Sequence, residues 1–161
     1  MSNPATSAPA FLTPEGAITH WQGHRRLSRR TIVAFPDEQL FTFSVGGMRP
    51  YGELALEMIG MAVPTLRGMA TGEWGKFAPP AAKTKDELLR AWDATTAELD
   101  AWWPKLSADR FHETLTAFGQ YTMIGHDLVL YAIDNEVHHR AQGTVYLRAL
   151  GIEPPAFYDR S

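Results

Sequence analysis

Residues 122–150, TMIGHDLVLYAIDNEVHHRAQGTVYLRAL, carry the pattern that decides the fold. Apolar side chains recur here at helical spacing, which predicts one long helix from about Thr122 to Leu150. Gly151 stands where a helix commonly ends, and Pro154-Pro155 prevents its continuation. The helix has two largely apolar faces. One holds Ile124, Leu128, Tyr131, Gln142 and Tyr146, and the opposite one holds Leu130, Ile133, Val137 and Thr144.

A helix with apolar residues on two opposite faces is normally buried on both. We expect one face to pack within its own chain. The other face, around Leu130, Ile133 and Val137, is predicted to contact a second copy of the chain in a homodimer. The alternative is that short segments of the same chain cover it.

Three more helices are predicted upstream. The motif Thr13-Pro14-Glu15 is a standard helix entrance and starts a helix that should reach about Ala34. A second helix is predicted over 50–69, and a third follows the capping box formed by Thr84 and Glu87. The stretch 110–118 is ambiguous and is interpreted as a linker. Four helices with almost no strand signal predict an all-α fold, an antiparallel four-helix bundle.

Length and composition bound the organisation of the chain. Its 161 residues fit one domain, which we place at 11–161. Residues 1–10 are rich in Ser, Pro, Ala and Thr and are interpreted as a disordered N-terminal arm. They lack the pattern of a secretory signal, and no window is apolar enough for a membrane span. We therefore expect a cytoplasmic protein that does not bind membranes.

Charge and cysteine content exclude several kinds of function. The formal net charge is −3 and the sequence pI is about 6.0, which argues against a nucleic-acid binder. The sequence has no cysteine, so thiol catalysis, disulfides and cysteine-based zinc sites are excluded. Any metal ion must be held by His, Asp, Glu, Asn or Gln.

The densest polar stretch is 134–142 in the last helix. Asn135 and His139 are one turn apart and are predicted to point into the bundle, close enough to share a metal ion. Glu136 and His139 form a second pair, Glu-x-x-His, at the spacing of carboxylate-bridged metal sites. His138 leans toward the same face from its other edge. The structural alternative is ordinary hydrogen bonding, with Glu136 on a solvated helix surface.

Glu57 is the second notable residue because it lies at the edge of an apolar stripe in the helix over 50–69. A carboxylate there must be solvated, paired or ligated, since an unpaired buried charge is costly. A salt bridge to an arginine is the simpler alternative. His20 and His24 are also one turn apart, but they lie beside arginines and are interpreted as hydrogen-bonding residues rather than ligands.

The stretches 135–142 and 145–155 resemble the C-terminal signature of the DinB-like family. The helix that contains Gly52 to Glu57 is similar to that family's second helix, and the helix that contains Trp21 is similar to its first. The resemblance implies an up-up-down-down four-helix bundle, commonly dimeric, with a metal ion near one end. It also implies three histidine ligands, one on the second helix and two on the last, and thiol-dependent transferase or isomerase activity in the better understood members.

This sequence departs from the three-histidine pattern. Glu57 and Asn135 stand where two of the histidines are expected, and only His139 matches. Glutamate is a competent ligand and asparagine a weak one, so the set is harder than three histidines and shifts toward Mn, Fe or Mg. Glu136 or His138 could replace Asn135. Alternatively, Glu57 hydrogen-bonds His139 or Asn135 in a pocket without metal.

Two functions follow from the resemblance and this altered set. In the first, the protein is a divalent-metal-dependent enzyme, of transferase or hydrolase type, that acts on a small molecule or thiol. Glu57, Asn135 and His139 hold the ion, which is Zn, Ni, Mn or Fe. In the second, the protein has lost the metal and is a dimeric binding or stress-response module.

Overall fold

A computed structural model describes residues 11–161, so the predicted disordered arm over 1–10 lies outside the described residues. Five α-helices and one two-stranded antiparallel hairpin form this part of the chain. The helices are α1 (Pro14–Ala34), α2 (Asp37–Leu40), α3 (Tyr51–Thr71), α4 (Lys85–Trp102) and α5 (Gly125–Ala149), and the strands are β1 (Thr114–Ala117) and β2 (Tyr121–Ile124). The fold is mostly helical, as predicted.

Local capping explains where the first and fourth helices begin. Thr13 Oγ1 accepts a hydrogen bond from the Gly16 amide at 3.1 Å, which satisfies one of the free N–H groups at the start of α1. At α4, Thr84 Oγ1 accepts from the Glu87 amide at 3.2 Å, and a Glu87 carboxylate oxygen accepts from the Thr84 amide. The capping box predicted from the sequence is therefore confirmed.

The interpretation of 110–118 as a linker was wrong, and so was the start of the last helix at Thr122. Residues 114–117 pair with 121–124 in register Thr114 to Ile124. Helix α5 consequently begins at Gly125. The turn is closed by the Gln120 amide, which donates to the Ala117 carbonyl at 3.0 Å. Among residues 11–161, this hairpin is the only sheet.

The four long helices pack with α5 against α3 and α1, and with α4 against the same two helices, and their buried apolar side chains form two clusters. Ile133 is 3% exposed and belongs to a core cluster with Trp21 and Leu99, and Val137 packs against that cluster. Part of the second apolar face of α5 is thus covered by its own chain. Leu130 remains 40% exposed.

Helices α1 and α5 are joined by a buried carboxylate. Glu136 is 2% exposed. Its oxygens accept hydrogen bonds from Ser28 Oγ at 2.8 Å and from Trp21 Nε1 at 3.2 Å. The guanidinium of Arg25, which is fully buried, lies 3.6 Å from the same carboxylate. The interpretation of Glu136 as part of a solvated helix surface, or as a substitute ligand for Asn135, is therefore wrong, because α1 occupies both of its oxygens.

The remaining bonds of Arg25 extend this network to α4. Its Nε donates to Thr96 Oγ1 and its Nη2 to the Trp92 carbonyl, both at 3.1 Å. The guanidinium also stacks over the Trp92 ring at 3.5 Å from the centroid. One arginine therefore connects three helices in the interior.

A second arginine, Arg140, approaches α1 beside this network. Its Nη1 donates to Ser28 Oγ at 3.2 Å, and its Nη2 lies 2.9 Å from His24 Nδ1. His24 Nε2 is 3.1 Å from His20 Nε2, so the predicted hydrogen-bonding role of this histidine pair is confirmed. Burial, followed by the charges of Arg140 and Arg160 and by His20, lowers the pKa of His24 to about 3. His24 is therefore neutral in the folded protein at neutral pH.

No helix in the range 11–161 combines the length and the apolar character that crossing a bilayer requires.

Replacing Glu136 with Ala should destabilise the fold by about 3–5 kcal/mol, because the change leaves the buried charge of Arg25 without its counter-ion. The matched control is Asp93→Ala on α4, which removes an exposed ion pair with Arg29. That control should cost less than about 1 kcal/mol. Urea unfolding measures both. Equal losses for the two variants would contradict a central role for the Glu136 network.

Stability should fall as the solution is acidified through the histidine range, and His24 should account for part of the slope. Its pKa is 6.5 in the unfolded chain and about 3 in the folded one. Between these values the unfolded chain binds the extra proton, so the contribution of His24 is complete above pH 6.5 and is lost toward pH 3. The slope is at most about 1.4 kcal/mol per pH unit. Urea unfolding of wild type and His24→Gln should give a shallower dependence for the variant; parallel curves would refute this assignment.

Candidate functional site

The candidate site lies between α3 and α5, on the face of α5 adjacent to the one that carries Glu136. Glu57 on α3 and His139 on α5 approach each other, with Nε2 of the imidazole 3.0 Å from Oε1 of the carboxylate. Asn135 Nδ2 donates to the same oxygen at 3.2 Å. The structure therefore brings together all three side chains that the sequence analysis selected as ligands, around a single oxygen atom.

Helical spacing explains why Asn135 and His139 point the same way. They are four residues apart, so they lie one above the other on the face of α5 that packs against α3. Glu136 is rotated away toward α1, as described above. His138 is exposed, and its ring contacts that of His139 at 5.0 Å between centroids.

Two residues that the sequence analysis did not single out as site residues support the cluster. Gln142 Oε1 lies 2.7 Å from His139 Nδ1, one turn further along α5. Gln142 Nε2 donates in turn to Met48 Sδ at 3.4 Å. This contact orients the amide so that its oxygen faces the imidazole. The i,i+3 spacing to His139 was the sequence signal that could have identified Gln142.

Arg49 is the other supporting residue, and it comes from the loop before α3. Its Nη2 lies 2.5 Å from Glu57 Oε2, the carboxylate oxygen that His139 and Asn135 do not use. Half of the Arg49 side chain is exposed. No pattern in the sequence marks Arg49, because the contact depends on how the loop folds back over α3.

Burial and hydrogen bonding act in opposite directions on Glu57. Partial burial raises the pKa of this carboxyl, but the hydrogen bonds from Arg49, His139 and Asn135 outweigh burial and hold the pKa below its usual value. Glu57 is consequently ionised at neutral pH. It supplies a full negative charge at the edge of the pocket.

The position of the proton on the His139 ring decides what can lie between this ring and Glu57. If Nδ1 carries the proton and donates to Gln142, then Nε2 presents a lone pair toward the Glu57 carboxylate 3.0 Å away. Two acceptors at that distance need a proton or a metal cation between them. In that tautomer the pair accommodates a cation or an additional proton, whereas with the proton on Nε2 the ring donates directly to Glu57 Oε1.

The amide oxygen of Asn135, Oδ1, is buried and lacks a hydrogen-bond partner among residues 11–161. A half turn of the amide exchanges Oδ1 and Nδ2 and directs the oxygen toward Glu57 and His139. In this part of the chain, no three His, Asp or Glu side chains come together as a metal site. A metal ion here thus needs the Asn135 amide as its third protein ligand, and the donor set of carboxylate, imidazole and amide oxygen fits a divalent ion.

Glu57 also lines a cavity of about 690 Å³ that opens beside the cluster. Tyr131, one turn before Asn135 on α5, lines it too. The size is within the usual range of small-molecule sites. The cluster therefore lies at the edge of a cavity large enough for a small molecule.

Comparisons with known proteins agree with the resemblance noted in the sequence. The profile of the DinB family matches residues 1–161. The solved structure of a DinB-like protein from Bacillus cereus covers 92% of this chain and 100% of its own, with a TM-score of 0.75 at 19% identity. A DinB-like protein from Bacillus subtilis covers 90% and 99%, with a TM-score of 0.74 at 16% identity.

A more distant structural neighbour is an enzyme. The mycothiol-dependent maleylpyruvate isomerase has a TM-score of 0.63 at 14% identity over 81% of this chain and 60% of its own. At these identities the likeness is one of fold. No curated protein is significantly similar to this chain.

A double-mutant cycle should detect the contact between Glu57 and His139. With a chelator present, Glu57→Gln and His139→Gln together should cost about 1 kcal/mol less stability than the sum of the single changes, because both break the same hydrogen bond. Urea unfolding gives the coupling energy. The control pair is Glu57→Gln with Asp93→Asn, which share no partner and should be additive. Additivity of the first pair would mean that the two side chains do not interact.

Proposed function

Because the chain belongs to the DinB family, we propose that it is a divalent-metal-dependent enzyme whose ion is held by Glu57, Asn135 and His139. The observation that carries this proposal is the convergence of His139 Nε2 and the Asn135 amide on Glu57 Oε1, with Nε2 3.0 Å from that oxygen and Nδ1 2.7 Å from Gln142 Oε1. In the tautomer with the proton on Nδ1, a cation between Nε2 and Oε1 satisfies both lone pairs. After a half turn of its amide, the Asn135 oxygen, which now lacks a hydrogen-bond partner in the described part of the chain, supplies the third ligand.

The side chains around the cluster have roles that suit such a site. Gln142 orients the imidazole and favours the tautomer with a free lone pair on Nε2, as outer partners of metal-binding histidines do. Arg49 holds Glu57 Oε2 and leaves Oε1 directed at the cluster. Carboxylate and amide oxygens favour Mn or Fe more than three histidines would, although Zn and Ni also suit the imidazole.

The reaction class we propose is transfer or hydrolysis on a small molecule or thiol. A divalent ion, when bound, lowers the pKa of a coordinated water or thiol and supplies a nucleophile near neutral pH. The cavity beside Glu57 has room for the substrate. The mycothiol dependence of the distant structural neighbour is a reason to include thiols among the candidates.

A metal-free pocket is the second candidate, and Arg49 is the observation in its favour. Its guanidinium already neutralises Glu57 from 2.5 Å. A proton on His139 can fill the gap between the two acceptors. In that case the protein is a binding or stress-response module without catalytic activity.

We also propose the assembly and location that the family resemblance and composition imply. These are an up-up-down-down arrangement of the four long helices, a cytoplasmic location and a homodimer. Leu130, Tyr131 and Val145 leave apolar surface exposed along α5, at 40%, 56% and 54%. Light scattering of the purified chain tests the dimer.

Calorimetric titration of tag-free protein with Mn²⁺, Zn²⁺ and Ni²⁺ separates the two candidates. We expect one ion per chain in the wild type. His139→Ala should abolish binding, Glu57→Ala should weaken it by about tenfold to a hundredfold, and Asn135→His should tighten it by restoring an i,i+4 imidazole pair. His126→Ala, an exposed histidine outside the cluster, is the control and should bind like wild type.

The metal-free candidate predicts the opposite result. If the wild type binds none of the three ions, whereas a variant combining Glu57→His with Asn135→His binds tightly, the native protein is metal-free. The enzyme proposal is then wrong and the second candidate stands.

A further inference from the structure

The cavity beside Glu57 is lined by several aromatic side chains, which the proposed metal site does not require. Five of its lining side chains are aromatic, namely Trp74, Phe77, Phe118, Tyr121 and Tyr131. The charged residues that line it are Glu57 at one end and Lys76 in the loop. An apolar cavity with few polar groups is typical of a site for a small organic molecule.

One aromatic wall is the loop between α3 and α4. Two glycines of α3 allow this loop to pack closely against the helix. A Cβ on Gly68 would lie 2.2 Å from Cε3 of Trp74, and one on Gly60 would lie 2.9 Å from Cε2 of Phe77. Both distances are too short for a side chain. The two glycines therefore allow both rings to rest directly on the helix, which fixes this wall of the cavity.

A second, adjoining wall is the turn of the hairpin, and its backbone is strained. Phe118 has φ +55°, and among residues 11–161 it is the only non-glycine residue with a positive φ. A bulky residue in this left-handed region is unfavourable. Such strain persists where the surroundings require it and is common at ligand-binding positions. Here it turns the Phe118 ring into the cavity.

The two walls meet through their rings. Trp74 and Phe118 are in edge-to-face contact, with centroids 5.2 Å apart and an interplanar angle of 64°. Both rings remain partly accessible from the cavity. A flat ring can pack against both of these faces with favourable aromatic geometry, whereas a saturated ring of the same size cannot.

We propose that this cavity binds an aromatic or conjugated small molecule that carries a hydroxyl, amine or thiol group. The flat body packs against Trp74 and Phe118, and the polar hydrogen is donated to the carboxylate of Glu57. The inference deepens the proposed function and rests on it in one respect, since Glu57 belongs both to the cavity and to the metal cluster. It narrows the substrate class from any small molecule to a flat, unsaturated one.

The test compares two alcohols of equal size by calorimetry, with a chelator present so that no metal contributes. The probes are 2-naphthol and its saturated counterpart, decahydro-2-naphthol. Wild type should bind 2-naphthol about fivefold to tenfold more tightly than the saturated alcohol. Gly68→Ala should reduce 2-naphthol binding by a similar factor, although it changes no lining residue, because the new Cβ displaces Trp74.

Phe118→Gly separates a ligand-binding role from a structural one. Glycine relieves the positive φ, which offsets part of the lost contact with Trp74, so the variant should remain folded without urea while 2-naphthol affinity falls by about fivefold to tenfold. The control is Gly16→Ala in α1, where the nearest atom to a new Cβ is Leu12 Cδ1 at 3.3 Å. That control should leave binding unchanged.

Equal affinity for the two alcohols, or 2-naphthol binding that survives both Gly68→Ala and Phe118→Gly, would overturn the inference. These outcomes are independent of the metal titration. Binding of 2-naphthol without any metal binding would support the aromatic cavity and refute the metal role of Glu57. The reverse result would refute only the substrate class.

Discussion

The buried carboxylate of Glu136 is the interaction on which the arrangement of this protein depends. It is surrounded by Trp21, Ser28 and Arg25 of α1, so it fixes both the rotation and the axial position of α5 against α1. A buried charge tolerates few alternative positions, since each lost hydrogen bond is costly in the interior. Arg25 extends the same constraint to α4 through Thr96 and Trp92.

Because the rotation of α5 is fixed, the side chains on its other faces also point in fixed directions. With Glu136 directed at α1, helical geometry turns Asn135 and His139 toward α3, where Glu57 is located. A helix that could rotate by one residue would exchange Glu136 for Asn135 at the site. The buried network therefore decides which of the two candidate side chains that the sequence left open faces Glu57, and it is the neutral amide of Asn135 and not the carboxylate of Glu136.

Much of this arrangement could be predicted from the sequence. Caps at Thr13 and Thr84 marked helix starts because capping is a local interaction, and the i,i+4 spacing of Asn135 and His139 required only that the helix exist. The hairpin was missed because its turn holds Phe118 at a positive φ, a position where Gly or Asn is the usual signal. The sequence did not predict that Glu136 is buried, because its partners lie more than 100 residues away in the sequence. The pattern of charges within α5 gives no information about them.

The site itself was predicted in its three central residues but not in their surroundings. Arg49 reaches Glu57 from a loop, and the aromatic walls of the cavity come from two further segments, so their convergence depends on tertiary packing. Arg49 and Gln142 contact the carboxylate and the imidazole, and the cavity opens beside them.

The most direct test of the account is a crystal structure of the protein grown with Mn²⁺, with anomalous data collected near the manganese edge. We expect one peak per chain, about 2.0–2.3 Å from Glu57 Oε1, His139 Nε2 and the Asn135 side-chain oxygen, with Gln142 still bonded to Nδ1. The absence of a peak, with His139 in direct contact with Glu57 and Arg49 still on the carboxylate, would contradict the proposal that these residues form a metal centre.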